Sequence, residues 1–81
     1  MIRVQYFARY REVLGSDGEQ LPRAGMATLE QLRQHLLSRG GAWQVLAEQS
    51  LRCARNQELC SLDSELADGD EVAFFPTVTG G

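Results

Sequence analysis

Lysine is absent from the chain, and all 8 of its lysine-or-arginine positions are arginine. The only amine in the molecule is therefore the one at its N-terminus. A chain without lysine cannot accept an isopeptide bond on a side chain, and it cannot form a Schiff base through one. This absence excludes catalytic mechanisms that depend on a lysine side chain.

Residues that bind metals or act as nucleophiles are also scarce. The sequence has only two cysteines, Cys53 and Cys60, and one histidine, His35. Two cysteines without C-x-x-C spacing are too few for a disulfide scaffold, a zinc site or an iron–sulfur cluster. We expect structural roles for both; their spacing around a turn allows cross-strand proximity, and redox or sulfur-relay chemistry is the alternative. His35 flanks a leucine stripe, which favours a solvated or boundary position over a catalytic one.

Long apolar runs and an excess of basic charge are missing as well. No run approaches the roughly 20 apolar residues that cross a bilayer, and the N-terminus lacks the pattern of a secretory signal. We therefore expect a cytoplasmic protein with no membrane partner. The net charge is −3 and the pI is about 5.0. Nucleic-acid-binding proteins usually carry a concentrated basic face, so no nucleic-acid partner is expected.

Catalytic motifs are not recognisable in the sequence either. There is no Ser-His-Asp arrangement, no glycine-rich phosphate loop and no cluster of metal ligands. The chain is therefore not expected to be an enzyme on its own or to hold a metal or cofactor. Its 81 residues, 43% of them hydrophobic, have room for one domain with a lean core.

The residues that are present predict several strands around one main helix. Residues 2–6 alternate apolar and polar, which indicates a strand with Ile2, Val4 and Tyr6 facing the core. Thr28 and Gln31 form a capping-box pattern that begins a helix with leucines at helical spacing. The other predicted elements are a helical turn or two over 8–14, a strand over 19–21, a short helix over 42–49, a hairpin over 51–55 and 58–61, and a final strand over 71–75.

This order of elements predicts an α+β fold. A mixed sheet wrapped across one principal helix is the outline of a ubiquitin-like β-grasp domain. The long connection between the first and last strands is explained if they pair in parallel through a helical crossover. Acidic residues crowd the segment over 58–71; they are Glu58, Asp63, Glu65, Asp68, Asp70 and Glu71. Most of them are expected on a solvated face that could also help to meet a basic partner.

The C-terminal end is the unusual part of the sequence. Pro76 follows the predicted last strand and stops sheet pairing, so we expect a domain over 1–75 and an extended tail over 76–81. Six extended residues reach about 20 Å. Gly80 and Gly81 have no structural task at a free end. Without side chains they allow a terminal carboxylate to enter a narrow channel of another protein.

The sequence resembles a known family, the small subunits of molybdopterin synthase. The resemblance is carried by the ending D-G-D-E-V-A-F-F-P-T-V-T-G-G over residues 68–81, by the opening over 2–14, by the helix start over 28–32 and by residues 54–57. It therefore covers essentially the whole chain. Thr77 is a departure, because the family usually has a second proline there.

The resemblance implies a cycle of sulfur transfer at Gly81. A ubiquitin-activating-like adenylyltransferase would use ATP to adenylate the Gly81 carboxylate, and sulfur would then replace AMP to leave a thiocarboxylate. The tail, with Gly80 giving access, would enter the large subunit of molybdopterin synthase. Sulfur delivered there to cyclic pyranopterin monophosphate would build the dithiolene of molybdopterin. The chain would be a sulfur donor that binds no cofactor itself.

Strand alternation also predicts a partner-binding patch. Phe7 and Phe75 follow inward-facing residues and should lie together on the opposite face of the sheet, where Leu59 can join them. The tail residues Pro76, Val78 and Thr79 are expected to contact the partner as well.

Three other functions remain open from the sequence. A sulfur carrier for thiamine synthesis or tRNA thiolation would share the fold and the Gly-Gly ending. A β-grasp docking module would need no free terminus. A small redox protein would use Cys53 and Cys60.

Overall fold

The structure, a computed structural model, describes residues 1–77, which form one five-stranded sheet crossed by helices. The elements are β1 (Ile2–Tyr6), α1 (Ala8–Leu14), β2 (Gly18–Leu21), α2 (Leu29–Leu37), a 3₁₀ helix (Gly41–Ala47), β3 (Leu51–Arg55), β4 (Glu58–Cys60) and β5 (Glu71–Pro76). The strand order is β2-β1-β5-β3-β4. β1 and β5 pair in parallel, and every other pair is antiparallel. The predicted β-grasp arrangement, with its parallel first and last strands, is confirmed.

The core lies between one face of the sheet and α2. Ile2, Val4 and Tyr6 are at most 1% exposed, as the alternation in β1 predicts. The buried stripe of α2 meets them from the other side and consists of Leu29, Leu32 and Leu36. Burial of these apolar side chains is the main favourable term in folding a domain of this size.

α2 begins at the predicted cap and ends three residues before a pair of glycines. The Thr28 hydroxyl accepts a hydrogen bond from the Gln31 N–H at 3.2 Å, while the Gln31 side chain accepts one from the Ala27 N–H at 2.6 Å. The helix stops at Leu37, before Gly40 and Gly41. Both glycines have positive φ and lead the chain into the 3₁₀ helix, so they shape the connection and do not cap α2.

The 3₁₀ helix replaces the short helix predicted over 42–49. Leu46 is fully buried, and Trp43 is half-buried with its ring edge-on to Tyr6 at 5.5 Å between centroids. Neither this helix nor any other in the described part of the chain is long and apolar enough to cross a membrane.

Asp70 is an exception to the expectation that most of the acidic residues over 58–71 lie on a solvated face. This side chain is only 7% exposed. Its carboxylate accepts hydrogen bonds from Arg55 Nε at 2.6 Å, from the Ala67 N–H at 2.8 Å and from Asn56 Nδ2 at 3.1 Å. Asp70 therefore ties the β3–β4 turn to the segment that enters β5.

Candidate functional site

The root of the C-terminal tail is bound to the sheet. β5 continues through Pro76, one residue beyond the predicted end, and Pro76 lies opposite Leu51 of β3. Although Pro76 has no N–H to donate, Thr77 resumes the pairing. Its backbone N–H donates to the Ser50 carbonyl at 3.0 Å, and its hydroxyl donates to the same oxygen at 2.5 Å.

This anchoring shortens the segment that the sequence assigned to the tail. The first two of the six predicted tail residues are paired with β3 and the residue before it at the end of β5. Four residues therefore follow the last anchored one. Four residues span at most about 14 Å, compared with about 20 Å for six. Val78, Thr79, Gly80 and Gly81 lie outside the described residues, and the roles assigned to them stay predictions.

Two aromatic side chains lie beside the tail root on the face of the sheet away from α2. The register pairs Tyr6 with Phe74, and the Phe7 N–H donates to the Phe74 carbonyl at 3.1 Å. This places Phe7 next to Phe75, where the alternation puts them. Phe7 is 43% exposed and Phe75 is half-buried.

Leu59 extends this apolar surface toward the far edge of the sheet. It is 78% exposed and lies on β4 opposite Ala54, which in turn lies opposite Ala73 of β5. Arg52 lies opposite Phe75 and adds a cation to the same face. We call this surface the outer sheet face; it consists of Phe7, Arg52, Ala54, Leu59, Ala73 and Phe75. Its role in binding stays a prediction.

The N-terminal amine binds a carboxylate at the start of β1, which is the end of the sheet away from the tail root. It forms an ion pair with Asp68, and this hydrogen bond lowers the pKa of Asp68. The amine of the chain therefore lies at the end of the parallel β1–β5 pair from which β5 begins, whereas the tail root lies at the other end.

The residues that were candidates for other chemistry do not form a metal or catalytic cluster. His35 is exposed on α2, as predicted. Cys53 and Cys60 face each other across β3 and β4, and burial raises the pKa of Cys53 to about 12. Among residues 1–77, no group of three or more His, Cys, Asp or Glu side chains is placed to hold a metal ion.

Sequence reasoning missed two residues that hold β5 in place, Ser50 at the tail root and Asp70 at the other end of the strand. Ser50 acts through its backbone carbonyl, which any residue could supply, so no sequence signal marks it. Asp70 did have a signal, because an Asp-Gly-Asp turn directly before a strand can direct a carboxylate onto neighbouring backbone N–H groups.

Known proteins match this chain over its whole length, in sequence and in fold. Residues 4–81 match the ThiS family. A molybdopterin synthase sulfur carrier subunit from Escherichia coli (strain K12) is 48% identical over 82 residues, covering 100% of both chains. The crystal structure of SAMP1 from Haloferax volcanii has a TM-score of 0.81 at 29% identity, covering 99% of this chain and 98% of that one.

A further solved structure contains a related chain with a partner. The protein–protein complex of subunits 1 and 2 of the molybdopterin-converting factor from Helicobacter pylori 26695 matches with a TM-score of 0.68, and the match covers 99% of this chain and 97% of that one. Its sequence identity of 22% supports the fold alone.

Proposed function

This chain belongs to the ThiS family, and on that premise we propose that its C-terminal Gly81 carries sulfur as a thiocarboxylate. Full-length identity of 48% to a molybdopterin synthase sulfur carrier subunit makes the chain a sulfur carrier of that type, a non-catalytic subunit. The chemistry at the terminus and the partners that perform it are the proposal.

The observation that carries the proposal is the continuity between the outer sheet face and the chain end. β5 contributes Phe75 to that face and runs through Pro76 into Thr77, which Ser50 anchors. Gly81 is therefore only four residues from a fixed point beside exposed apolar side chains. A partner that binds the outer sheet face receives the terminus at a restricted distance, which reduces the entropy lost when the tail enters its active site.

The chemistry follows from the poor reactivity of a carboxylate. A free carboxylate is a weak electrophile, so a ubiquitin-activating-like adenylyltransferase first transfers AMP from ATP to Gly81 and releases pyrophosphate. Sulfur at the sulfide level, supplied as hydrosulfide or as a persulfide whose acyl disulfide is then cleaved by a thiol, attacks the acyl carbon, AMP leaves and the thiocarboxylate remains. ATP is bound by that enzyme, and this chain supplies the carboxylate and the surface that is recognised. Gly80 and Gly81 allow the catalytic groups of a partner to approach the backbone closely.

The proposed acceptor complex is formed with the large subunit of molybdopterin synthase. The Escherichia coli relative, which is 48% identical over the full length, is itself a subunit of molybdopterin synthase, and this supports the choice of partner. In that complex the thiocarboxylate would deliver sulfur to cyclic pyranopterin monophosphate to form the dithiolene of molybdopterin. Docking would use Phe7, Leu59 and Phe75, with Pro76, Val78 and Thr79 along the entering tail.

The test is the intact mass of the chain after incubation with activating enzyme, ATP and a sulfur source. Exchange of one carboxylate oxygen for sulfur should raise the mass by about 16 Da. A variant with one alanine added after Gly81 should not be charged, because the extra residue moves the reactive carbon by about 3.5 Å, beyond the tolerance of a preorganised site.

Two controls make the result specific. A Val13→Ala variant, altered at an exposed apolar residue of α1, should be charged like the wild type. The charged chain should then form molybdopterin only when the large subunit and cyclic pyranopterin monophosphate are both added. An unchanged mass under conditions that charge the Escherichia coli relative, or full activity of the extended chain, would refute the proposal.

A further inference from the structure

Cys53 and Cys60 form a close pair that the sulfur-carrying terminus does not use. They lie directly opposite each other on β3 and β4, with 3.7 Å between their Sγ atoms. The two-residue turn makes Arg55 and Glu58 the first hydrogen-bonded pair of the hairpin, so the cysteines, two positions further, are again such a pair. Their Cα atoms are then about 5.5 Å apart, inside the range of about 4.4–6.8 Å that disulfides span.

The two thiols differ in how far solvent reaches them. Cys53 is 2% exposed, whereas Cys60 is half-buried on β4, the last strand of the sheet order. A cavity of about 220 Å³ opens beside the pair, and its lining includes both cysteines, Arg52 and Ser61. A reagent that enters this cavity from solvent therefore meets Cys60 first and reaches Cys53 only through it.

We propose that this pair is a modification site at which a low-molecular-weight disulfide, such as oxidised glutathione, is exchanged for an intrachain disulfide. Cys60 is the attacking thiol and Cys53 is the resolving thiol. The site is separate from sulfur transfer at the terminus, because the sulfur exchanged here stays on the cysteine side chains.

The reaction proceeds in two exchanges. The Cys60 thiol loses its proton to solvent, and its thiolate attacks one sulfur of oxidised glutathione; a protein–glutathione disulfide forms and one glutathione thiolate leaves. Cys53 then loses its proton and attacks Cys60 Sγ, so that the Cys53–Cys60 bond forms and the second glutathione leaves. The protein loses two electrons and two protons in total, and oxidised glutathione gains them as two molecules of reduced glutathione.

The second exchange depends on the ionisation of the buried Cys53 thiol. Burial raises the pKa of Cys53 to about 12, so its thiolate is scarce at neutral pH and the second step should accelerate about tenfold for each unit of pH. Oxidation then links β4, which carries Leu59, covalently to β3.

The experiment uses the full chain with oxidised glutathione and no other protein, followed by intact mass and peptide mapping. The wild type should lose about 2 Da and remain monomeric. Cys53→Ala should stop at an adduct of about 305 Da on Cys60, and Cys60→Ala should stay unmodified for at least tenfold longer. The oxidised wild type should unfold at a temperature higher by on the order of 5 °C.

Several results would overturn the inference. These are two thiols that remain open to alkylation after excess oxidised glutathione, disulfide-linked dimers as the only product, or a Cys60→Ala variant that reacts as fast as Cys53→Ala. If either alanine variant fails to fold, the order of products in the wild type decides the question, because the Cys60 adduct must precede the intrachain bond. The Cys53→Ala/Cys60→Ala double variant should still be charged at Gly81. A negative result in the glutathione experiment therefore leaves the proposed function untouched.

Discussion

Asp70 is a buried carboxylate whose charge is stabilised by three donors. Burial raises its pKa, but the hydrogen bonds from Arg55, the Ala67 N–H and Asn56 have the larger combined effect and keep the pKa below its ordinary value. These donors come from the β3–β4 hairpin and from the segment before β5. One side chain therefore joins parts of the chain that are distant in sequence.

We expect Asp70→Ala to lower the free energy of unfolding at pH 7 by about 2–3 kcal/mol, because the variant leaves the Ala67 N–H and Arg55 without their acceptor. Urea denaturation followed by circular dichroism measures this change. The matched control is Asp17→Ala, which removes an exposed carboxylate and should change the value by less than about 0.5 kcal/mol.

The same carboxylate predicts a dependence on pH. Because the pKa of Asp70 is lowered by folding, its stabilisation is fully present above the unfolded pKa of about 3.9 and is lost as the pH falls through the folded value. The difference in unfolding free energy between wild type and Asp70→Ala should stay constant from about pH 7 to 5 and shrink below about pH 4. A difference that grew in acid would contradict this sign.

At the scale of the elements, the turn between β3 and β4 contains backbone strain. Asn56 and Gln57 both have positive φ, at 53° and 71°, as the two-residue hairpin turn of type I′ requires. The Asn56 side chain offsets this by bonding Asp70 and the Glu71 N–H. Gln57 is exposed, and a glutamine in this conformation carries the steric cost of its Cβ.

Gln57→Gly should therefore raise the free energy of unfolding by about 1 kcal/mol, since glycine adopts positive φ without that cost. Thermal and urea denaturation measure the gain. Gln57→Ala keeps the Cβ and serves as the control, with an expected change near zero. Equal stability of the glycine and alanine variants would show that the turn is not strained at this position.

The end of β5 gives a second prediction at this scale. The Thr77 N–H donates to Ser50, so it should exchange with deuterium on the order of tenfold more slowly than an unprotected amide. Thr77→Val removes the hydroxyl donor and keeps the N–H and the side-chain shape, so the protection at residue 77 should decrease without being lost. Exchange followed by NMR measures both rates. A wild-type rate equal to that of a free peptide would rule out the anchoring.

At the scale of the whole molecule, the outer sheet face has an uncovered apolar surface. Leu59 and Phe7 are 78% and 43% exposed, and Ala54 and Ala73 leave a shallow surface between the strands that carry Leu59 and Phe75. Apolar side chains arranged in this way around small residues are typical of a protein-binding site.

We expect Leu59→Ala and Phe75→Ala each to weaken binding to the large subunit and to the activating enzyme at least about tenfold. Isothermal titration with the separate partners measures the dissociation constants. Leu59 is the cleaner test, because Phe75 is half-buried and its loss also affects stability. Val13→Ala removes a similar exposed apolar group from α1 and should bind normally. Wild-type affinity of both outer-face variants would disprove the docking role.

Elements with a strong local pattern could be predicted from the sequence by itself. β1, α1 and β3 have the predicted bounds, because alternation and helical spacing operate between neighbouring residues. The same holds for the start of α2, where a cap and its partner are three residues apart. The parallel pairing of β1 with β5 also followed from sequence, since a crossover of that length leaves few arrangements.

Contacts between distant residues were decided only by the tertiary structure. The burial of Asp70 and the anchoring of Thr77 by Ser50 depend on the register of β3 with β5. Register is set by how the whole hydrophobic face packs, and a slip of one residue would reverse every side chain. A local sequence pattern therefore indicates that a strand forms, whereas the packed sheet determines which groups its ends bring together.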